Sequence, residues 1–240
     1  MSEPSLKFDP WLKRQLGKPS FHLTGEIGSQ SLEGSPIVEQ LAAQPLFADV
    51  KVPVADISSA SAAQHLGFSL IDTNLQFAMP LSNVSEIGMP GLMFATPDMA
   101  DAVGDIAATS FSDDRFHRDP AIPNPVADEL KRCWATNFFV GKRGDWMVVA
   151  CVGERPVGFL QLLRMPDGGL LIDLIGVSAG ERGRGFARAM IAFACQNCDC
   201  SGEVVVGTAI ANTRSIRLYE NMGFRLRGAQ YVFHHHGAAC

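Results

Sequence analysis

The chain has 240 residues, of which 47% are hydrophobic and 19% charged, with a formal net charge of −5. That length suits one large domain or two small ones, the apolar content is too high for a disordered chain, and the acidic balance weighs against a general nucleic-acid binder. No apolar run approaches the roughly 18 residues of a membrane-crossing helix, and "MSEPSLKFDPWLKRQLGKPS" at the start lacks the apolar centre of a secretion signal. These features lead us to expect a cytoplasmic protein without membrane or nucleic-acid partners.

In chain order, "FHLTG" and "FADVKVPV" read as short strands by their alternation and β-branched content. "SSASAAQHLGF" reads as a helix, with Ser58 or Ser59 as its cap and Gly67 as its stop. "SLIDTNLQFAMPL" is a strand. Proline and glycine then gather in "GMPGLMFATPDM", which places a boundary near residue 90. Beyond it, "TPDMADAVGDIAATSF" is a helix capped by Thr96 or Asp98, "SDDRFHRDPAIPNP" a loop, and "VADELKRCWATNFF" a second helix. "WMVVACV" and "VGFLQLLRM" form a hairpin across "GERP", and "GLLIDLIGV" is apolar enough to be a central strand. An arginine-glycine turn leads into a helix that carries Ala187, Met190, Ile191, Ala194 and Cys195 on one face. "EVVVGTAI", the helix "NTRSIRLYENMGF" and the strand "RLRGAQYVFHH" complete an α/β (α+β) chain around a central mixed sheet.

A shift of 156 positions lays residues 59–77 on residues 215–233 without a gap, and Ser59, Gly67, Phe68, Leu70 and Phe77 fall on identical residues. Both segments read helix, Gly-Phe, strand, so the first section is either a reduced copy of part of the second or a chance echo. Six cysteines (Cys133, Cys151, Cys195, Cys198, Cys200 and Cys240) show no second pair at zinc spacing, and "CQNCDC" is read as structural thiols. "HHH" at 234–236 has no partner carboxylate nearby in sequence, and no metal is expected.

"GERGRGFARAM" at 180–190 concentrates positive charge and backbone freedom between a strand and a helix. The first N–H groups of a helix lack partners and its dipole favours negative charge, so such a turn can hold an anion; a purely structural turn is the other reading. It is neither a Walker loop nor the Rossmann fingerprint. Arg182, Gly183, Arg184, Gly185, Phe186 and Ala187 match R/Q-x-x-G-x-G/A, followed downstream by Asn212, Tyr219, Gly223 and Phe224.

From about residue 92 to 236 this arrangement resembles the GCN5-related N-acetyltransferase (GNAT) superfamily, and within it the group that acetylates the 4-amino group of a TDP-linked 4-amino-4,6-dideoxygalactose. The resemblance implies a GNAT domain at 91–240 behind a smaller, truncated acetyltransferase-like domain at 1–90. It implies acetyl-CoA as cosubstrate, its pyrophosphate held by backbone N–H groups of residues 182–187, and a homodimer. Ile175 and Val177 would pair with the pantetheine arm through their backbones. Asn212 would hold that arm or a nearby backbone group.

Tyr219 is the candidate acid for the departing thiolate, because a phenol keeps its proton at neutral pH; the other reading is a core aromatic beside Ile216 and Met222. Asp173 is either a base or an ordinary strand-end carboxylate. Phe111 and Phe116 would stack on a sugar or base, and Arg115, His117 and Arg118 would meet a diphosphate; a solvated loop is the alternative. The expected reaction is acetyl transfer to a nucleotide-linked amino sugar. A peptide N-terminus, polyamine or other small amine is a second acceptor class, and a non-catalytic CoA sensor a third possibility.

Overall fold

The structure, a computed structural model, describes residues 3–27, 34–42, 45–85 and 87–237. Cys240 lies outside them. Ten strands form one mixed sheet: β1 (Ser5–Phe8), β2 (Ser20–Thr24), β3 (Phe47–Pro53), β4 (Ser69–Pro80), β5 (Leu92–Phe94), β6 (Trp146–Val152), β7 (Arg155–Arg164), β8 (Leu170–Val177), β9 (Glu203–Ala209) and β10 (Arg225–His236). Their spatial order is β1-β2-β3-β10-β4-β9-β8-β7-β6-β5. The helices are α1 (Pro10–Leu16), α2 (Pro36–Ala42), α3 (Ile57–His65), α4 (Ala100–Ser110), α5 (Asn124–Thr136), α6 (Phe186–Asn197) and α7 (Thr213–Met222).

The sheet runs unbroken across residue 90. β4, from the first section, lies between β10 and β9 of the second and pairs antiparallel with both. The echo between the sections extends well beyond the window read from sequence. The same shift of 156 carries β3 onto β9, the start of α3 onto the start of α7, and β4 onto β10. Asn74 and Gln230, which are counterparts under that shift, pair with each other, and the two register shifts in the ladder fall at equivalent places. The parallel β2–β3 pair then answers the parallel β8–β9 pair, and β1 answers β7. A local two-fold axis therefore passes between β4 and β10.

The caps correct the reading of α3. Asp56, rather than Ser58 or Ser59, accepts the first-turn N–H, from Ser59 at 3.0 Å. Gly67 stops that helix with φ near +80°, as Gly223 stops α7 with φ near +94°, a conformation that a Cβ disfavours. A short 3₁₀ turn at Pro97–Met99 precedes α4, with Thr96 at its start.

Alternation along β4 sends Leu75, Phe77 and Met79 into the main core, where they meet Val206, Phe186 and Tyr219 under α6 and α7. Asp72, Asn74 and Gln76 consequently face the other side of the sheet, towards α4 and α5. Burying a polar row on an interior face is costly unless it serves a site.

Candidate active site

β8 and β9 pair only from Leu170–Val204 to Ile172–Val206. Beyond that point β8 keeps its partner β7, while its other edge opens. Ser178 donates its N–H to the Val157 carbonyl on β7 at 2.8 Å, so strand alternation turns Ile175 and Val177 towards the open edge. The gap widens into a cavity of about 1080 Å³ that crosses the sheet. Asp173 is a one-residue bulge, since Gln161 pairs with Leu174 and Leu162 with Ile172. A bulge re-aims neighbouring backbone groups.

Loop 178–185 stands at the mouth of the gap. Gly183 and Gly185 adopt φ of about +79° and +86°, which L side chains avoid. Helix α6 begins at Phe186 without a side-chain cap, so its first-turn N–H groups stay available to an anion. Gly183, Gly185, Phe186 and Ala187 all line the cavity. These features fit a pyrophosphate.

The loop arginines divide unexpectedly. Arg182 turns inward: its Nε donates to the Val177 carbonyl at 3.0 Å, and its Nη2 reaches the carbonyls of Thr109 and Ser110 at the end of α4. It thereby staples strand end to helix and occupies one of the Val177 backbone groups expected to take the pantetheine. Arg184 is paired with Glu181, which also takes Arg155, and it stays outside the cavity. Positive charge without an ion pair among the described residues comes from Arg188 and from Arg214 and Arg217 of α7, all three lining the cavity. The i, i+3 spacing of "RSIR" was the overlooked signal.

Tyr219 is 2% exposed and lines the cavity from the α7 side. It is a core aromatic, tilted against Phe77 and Phe224 with ring centroids 6.0 and 5.4 Å away, and it is also part of the cavity lining. Burial pushes its pKa well above that of an ordinary phenol, so it holds its proton. Asn212 is the cap of α7, accepting the Ser215 N–H at 3.1 Å; this is the backbone role.

Asp173 is committed. Its oxygens accept from Trp134 Nε1 at 3.0 Å, from Arg143 Nε at 2.7 Å and Nη2 at 2.6 Å, and from Gln161 Nε2 at 3.0 Å. A carboxylate that takes four N–H donors is an anchor for the pocket floor.

The acceptor loop assembles differently from the sequence reading. Phe111, Arg115 and Phe116 line the cavity, whereas His117 and Arg118 do not. Phe116 is 1% exposed and packed under Arg115 and Lys131, so it cannot stack on a sugar. Arg115 is paired with Asp49 of β3. His117 is held between Asp114 at 2.5 Å and Asp128 at 3.0 Å, and Arg118 is exposed. Sequence reasoning missed Lys51, Asp72, Asn74, Gln76, Lys131, Trp134 and Arg143, all of which line this end. Lys131 is buried, paired with Asp114 at 3.3 Å and boxed by the Phe111 and Trp134 rings. Burial pulls its pKa down. The readable clue was the period-two polar run at Asp72, Asn74 and Gln76, in a strand whose alternate residues are apolar.

The terminal histidines do find a carboxylate. Asp119 Oδ2 meets His234 Nδ1 at 2.6 Å and His236 Nε2 at 2.8 Å, and these three groups are near enough to share a metal ion. Hydrogen bonding accounts for the atoms that face one another, while the buried Nε2 of His234 has no partner among the described residues. Asp119 takes both ring N–H groups and the Ala121 N–H, while Lys18 Nζ lies 3.0 Å from His236 Nδ1. A metal on His236 Nε2 would need a proton on Nδ1, where Lys18 already donates. The thiols of Cys195 and Cys198 are both pushed up to about 12 by burial, which makes them inert.

Comparison with known proteins agrees with this geometry. Residues 107–224 match the model of the acetyltransferase (GNAT) family. The chain is 31% identical over 197 residues to the spore coat polysaccharide biosynthesis protein SpsD of Bacillus subtilis (strain 168), covering 78% of this chain and 66% of that protein. In fold it is similar to a functionally unknown conserved protein of Staphylococcus epidermidis (TM-score 0.69, 13% identity, 99% of this chain and 93% of that one). It is also similar to a GCN5-related N-acetyltransferase of Sphaerobacter thermophilus (TM-score 0.63, 15% identity, 99% and 78%). With an open β8–β9 edge, a glycine loop at an uncapped helix and Tyr219 below, residues 107–224 form a domain of the acetyltransferase (GNAT) family.

Proposed function

We propose that the protein transfers an acetyl group from acetyl-CoA to the amine of a nucleotide-linked amino sugar. The observation that carries this reading is the β8–β9 opening, which offers an extended arm an unpaired strand edge with an anion-binding helix start at its mouth. When bound, acetyl-CoA supplies the acetyl thioester that an amine attacks. The N–H groups at the start of α6 hold the pyrophosphate, with Arg188, Arg214 and Arg217 around it. Backbone groups of Ile175 and the N–H of Val177 align the arm. The bulge at Asp173 re-aims the neighbouring backbone groups, which would supply the N–H donors for the thioester oxygen. Tyr219, kept protonated by burial, gives its proton to the departing sulfur.

The sugar part of the proposal rests on the name of the SpsD relative, a polysaccharide biosynthesis protein, and on a polar acceptor face built by Lys51, Asn74, Gln76 and Lys131. On this reading residues 1–90 are a truncated acetyltransferase-like unit, supported by the matched registers of β3–β4 and β9–β10, and that unit builds one wall of the acceptor site. The test is a mass-spectrometric screen of TDP-linked amino sugars, peptides and polyamines with acetyl-CoA. Gain of one acetyl group by the sugar nucleotide is expected. Gain by a peptide or polyamine with none on any sugar nucleotide would move the acceptor to the second class.

A further inference from the structure

Amine acetylation needs a neutral nitrogen, and an amine arrives mostly as its ammonium. Among the described residues, five carboxylates line the cavity: Asp72, Asp113, Asp114, Asp173 and Glu181. Asp173 has Arg143, Trp134 and Gln161. Asp114 has Lys131, His117 and the Phe116 N–H. Glu181 has Arg155 and Arg184, and Asp113 is exposed on the loop. Asp72 differs from all four. It is 7% exposed, and among the described residues it forms no ion pair; its hydrogen bond is from the adjacent Thr73 N–H at 2.8 Å. A buried carboxylate without a cation is expensive unless a ligand brings one.

Its position suits that ligand. Asn74, two residues along the same face, pairs with Ala209 on the far lip of the gap, and Ile210 donates its N–H to the Thr73 carbonyl at 2.8 Å. Asp72 therefore stands where β9 ends, beside the opening. β10 offers it Val232, β3 contributes Lys51 one strand further, and the acceptor loop brings Arg118, Asp113 and Asp114 within electrostatic range. Burial raises the Asp72 pKa above that of an ordinary carboxyl, and the two aspartates of the loop add to it.

Resting on the acetyl-transfer reading above, we infer that Asp72, from the N-terminal section, receives the acceptor's ammonium and takes its proton. The freed nitrogen lone pair forms the C–N bond as the C–S bond breaks and Tyr219 protonates the sulfur; the second proton that the new amide nitrogen sheds returns through water to Tyr219, and Asp72 releases the first to solvent. The catalytic base is thus supplied by the section that lacks the CoA loop.

The test compares the native protein with Asp72→Asn, using acetyl-CoA and whichever of TDP-4-amino-4,6-dideoxygalactose, spermidine or an alanyl peptide the native protein acetylates. A fall of about 100-fold in kcat/KM for the amine is expected, with CoA affinity by calorimetry unchanged. The native protein uses the ammonium, so its kcat/KM should stay level through neutral pH. The variant must wait for free amine, so its value should rise with pH. Should Asp72→Asn lose CoA binding, Asp72→Ser, which keeps an acceptor for the Thr73 N–H, takes its place. A variant within threefold of native, or one with the native pH profile, overturns the role of Asp72 and leaves acetyl transfer standing. A native protein that acetylates none of the three amines overturns both.

Discussion

Tyr219 is the residue on which two sequence readings compete, a core aromatic and the acid of the proposed reaction. Its ring is part of the main core beside Phe77 and Phe224, and the residue also lines the cavity. Tyr219→Phe should keep the ring packing, lower kcat by about 100-fold and leave CoA affinity intact; steady-state kinetics with calorimetry separates the two quantities. Asp173 belongs to the opposite kind. Asp173→Asn would leave Arg143, which is partly exposed, beside a neutral floor, and a cost of about 1–2 kcal/mol in urea unfolding is expected. The residues whose place at the cavity was legible in sequence were those fixed by local spacing, such as Gly183, Gly185, Asn212 and Tyr219. The inward turn of the Arg182 side chain was not legible, because its partners at Thr109 and Ser110 are more than seventy positions away. Phe116 and His117 look like binding residues in a polar loop, yet their neighbours come from α5 and the N-terminal strands.

At the scale of elements, the long ones announce themselves and the short ones do not. β4, β8, α6 and β10 carry enough turns or alternations for their period to show. β1, α1, α2 and β5, with four, seven, seven and three residues, are too brief for a period to be told apart. For α1 a local signal existed: Asp9 before Pro10 caps the helix, accepting the Leu12 N–H at 2.8 Å. Helix α7 depends on its cap in the same way. Asn212→Ala should destabilise the protein by about 1 kcal/mol, measurable as a lower Tm, and should weaken turnover by loosening the helix that carries Tyr219.

Across the whole molecule, the division near residue 90 separates two related units in sequence while the sheet joins them. β10 pairs with β3 on one side and β4 on the other, and β9 also leans on β4. A fragment of residues 91–240 would therefore expose both edges of β10 and one of β9. It should fail to give a cooperative thermal transition; a native-like transition would show that the second section stands alone. Charge ties the same units together. Burial alone would push the carboxyls of Asp49, Asp114 and Asp119 up; against it Arg115 and His22, Lys131 and His117, and His234 and His236 respectively hold them well below the usual range. A carboxyl depressed in the folded state stabilises above its unfolded pKa of about 4, and that stabilisation is lost as pH falls below it. The urea midpoint should drop steeply below about pH 4, more than in a variant carrying Asp49→Asn and Arg115→Met, where one of these pairs is already absent.

The central claim is that loop 178–185 and the β8–β9 gap form the acetyl-CoA site, and calorimetric titration of acetyl-CoA into native protein and Gly185→Val tests it most directly. A Cβ at Gly185 meets nothing closer than Met89 Cε at 3.6 Å, so the strain comes from its φ of about +86° and falls on the cradle. Saturable one-to-one binding to the native protein, lost in a variant that still unfolds cooperatively, is the predicted result. No binding to native protein, or equal affinity in the two, would contradict it.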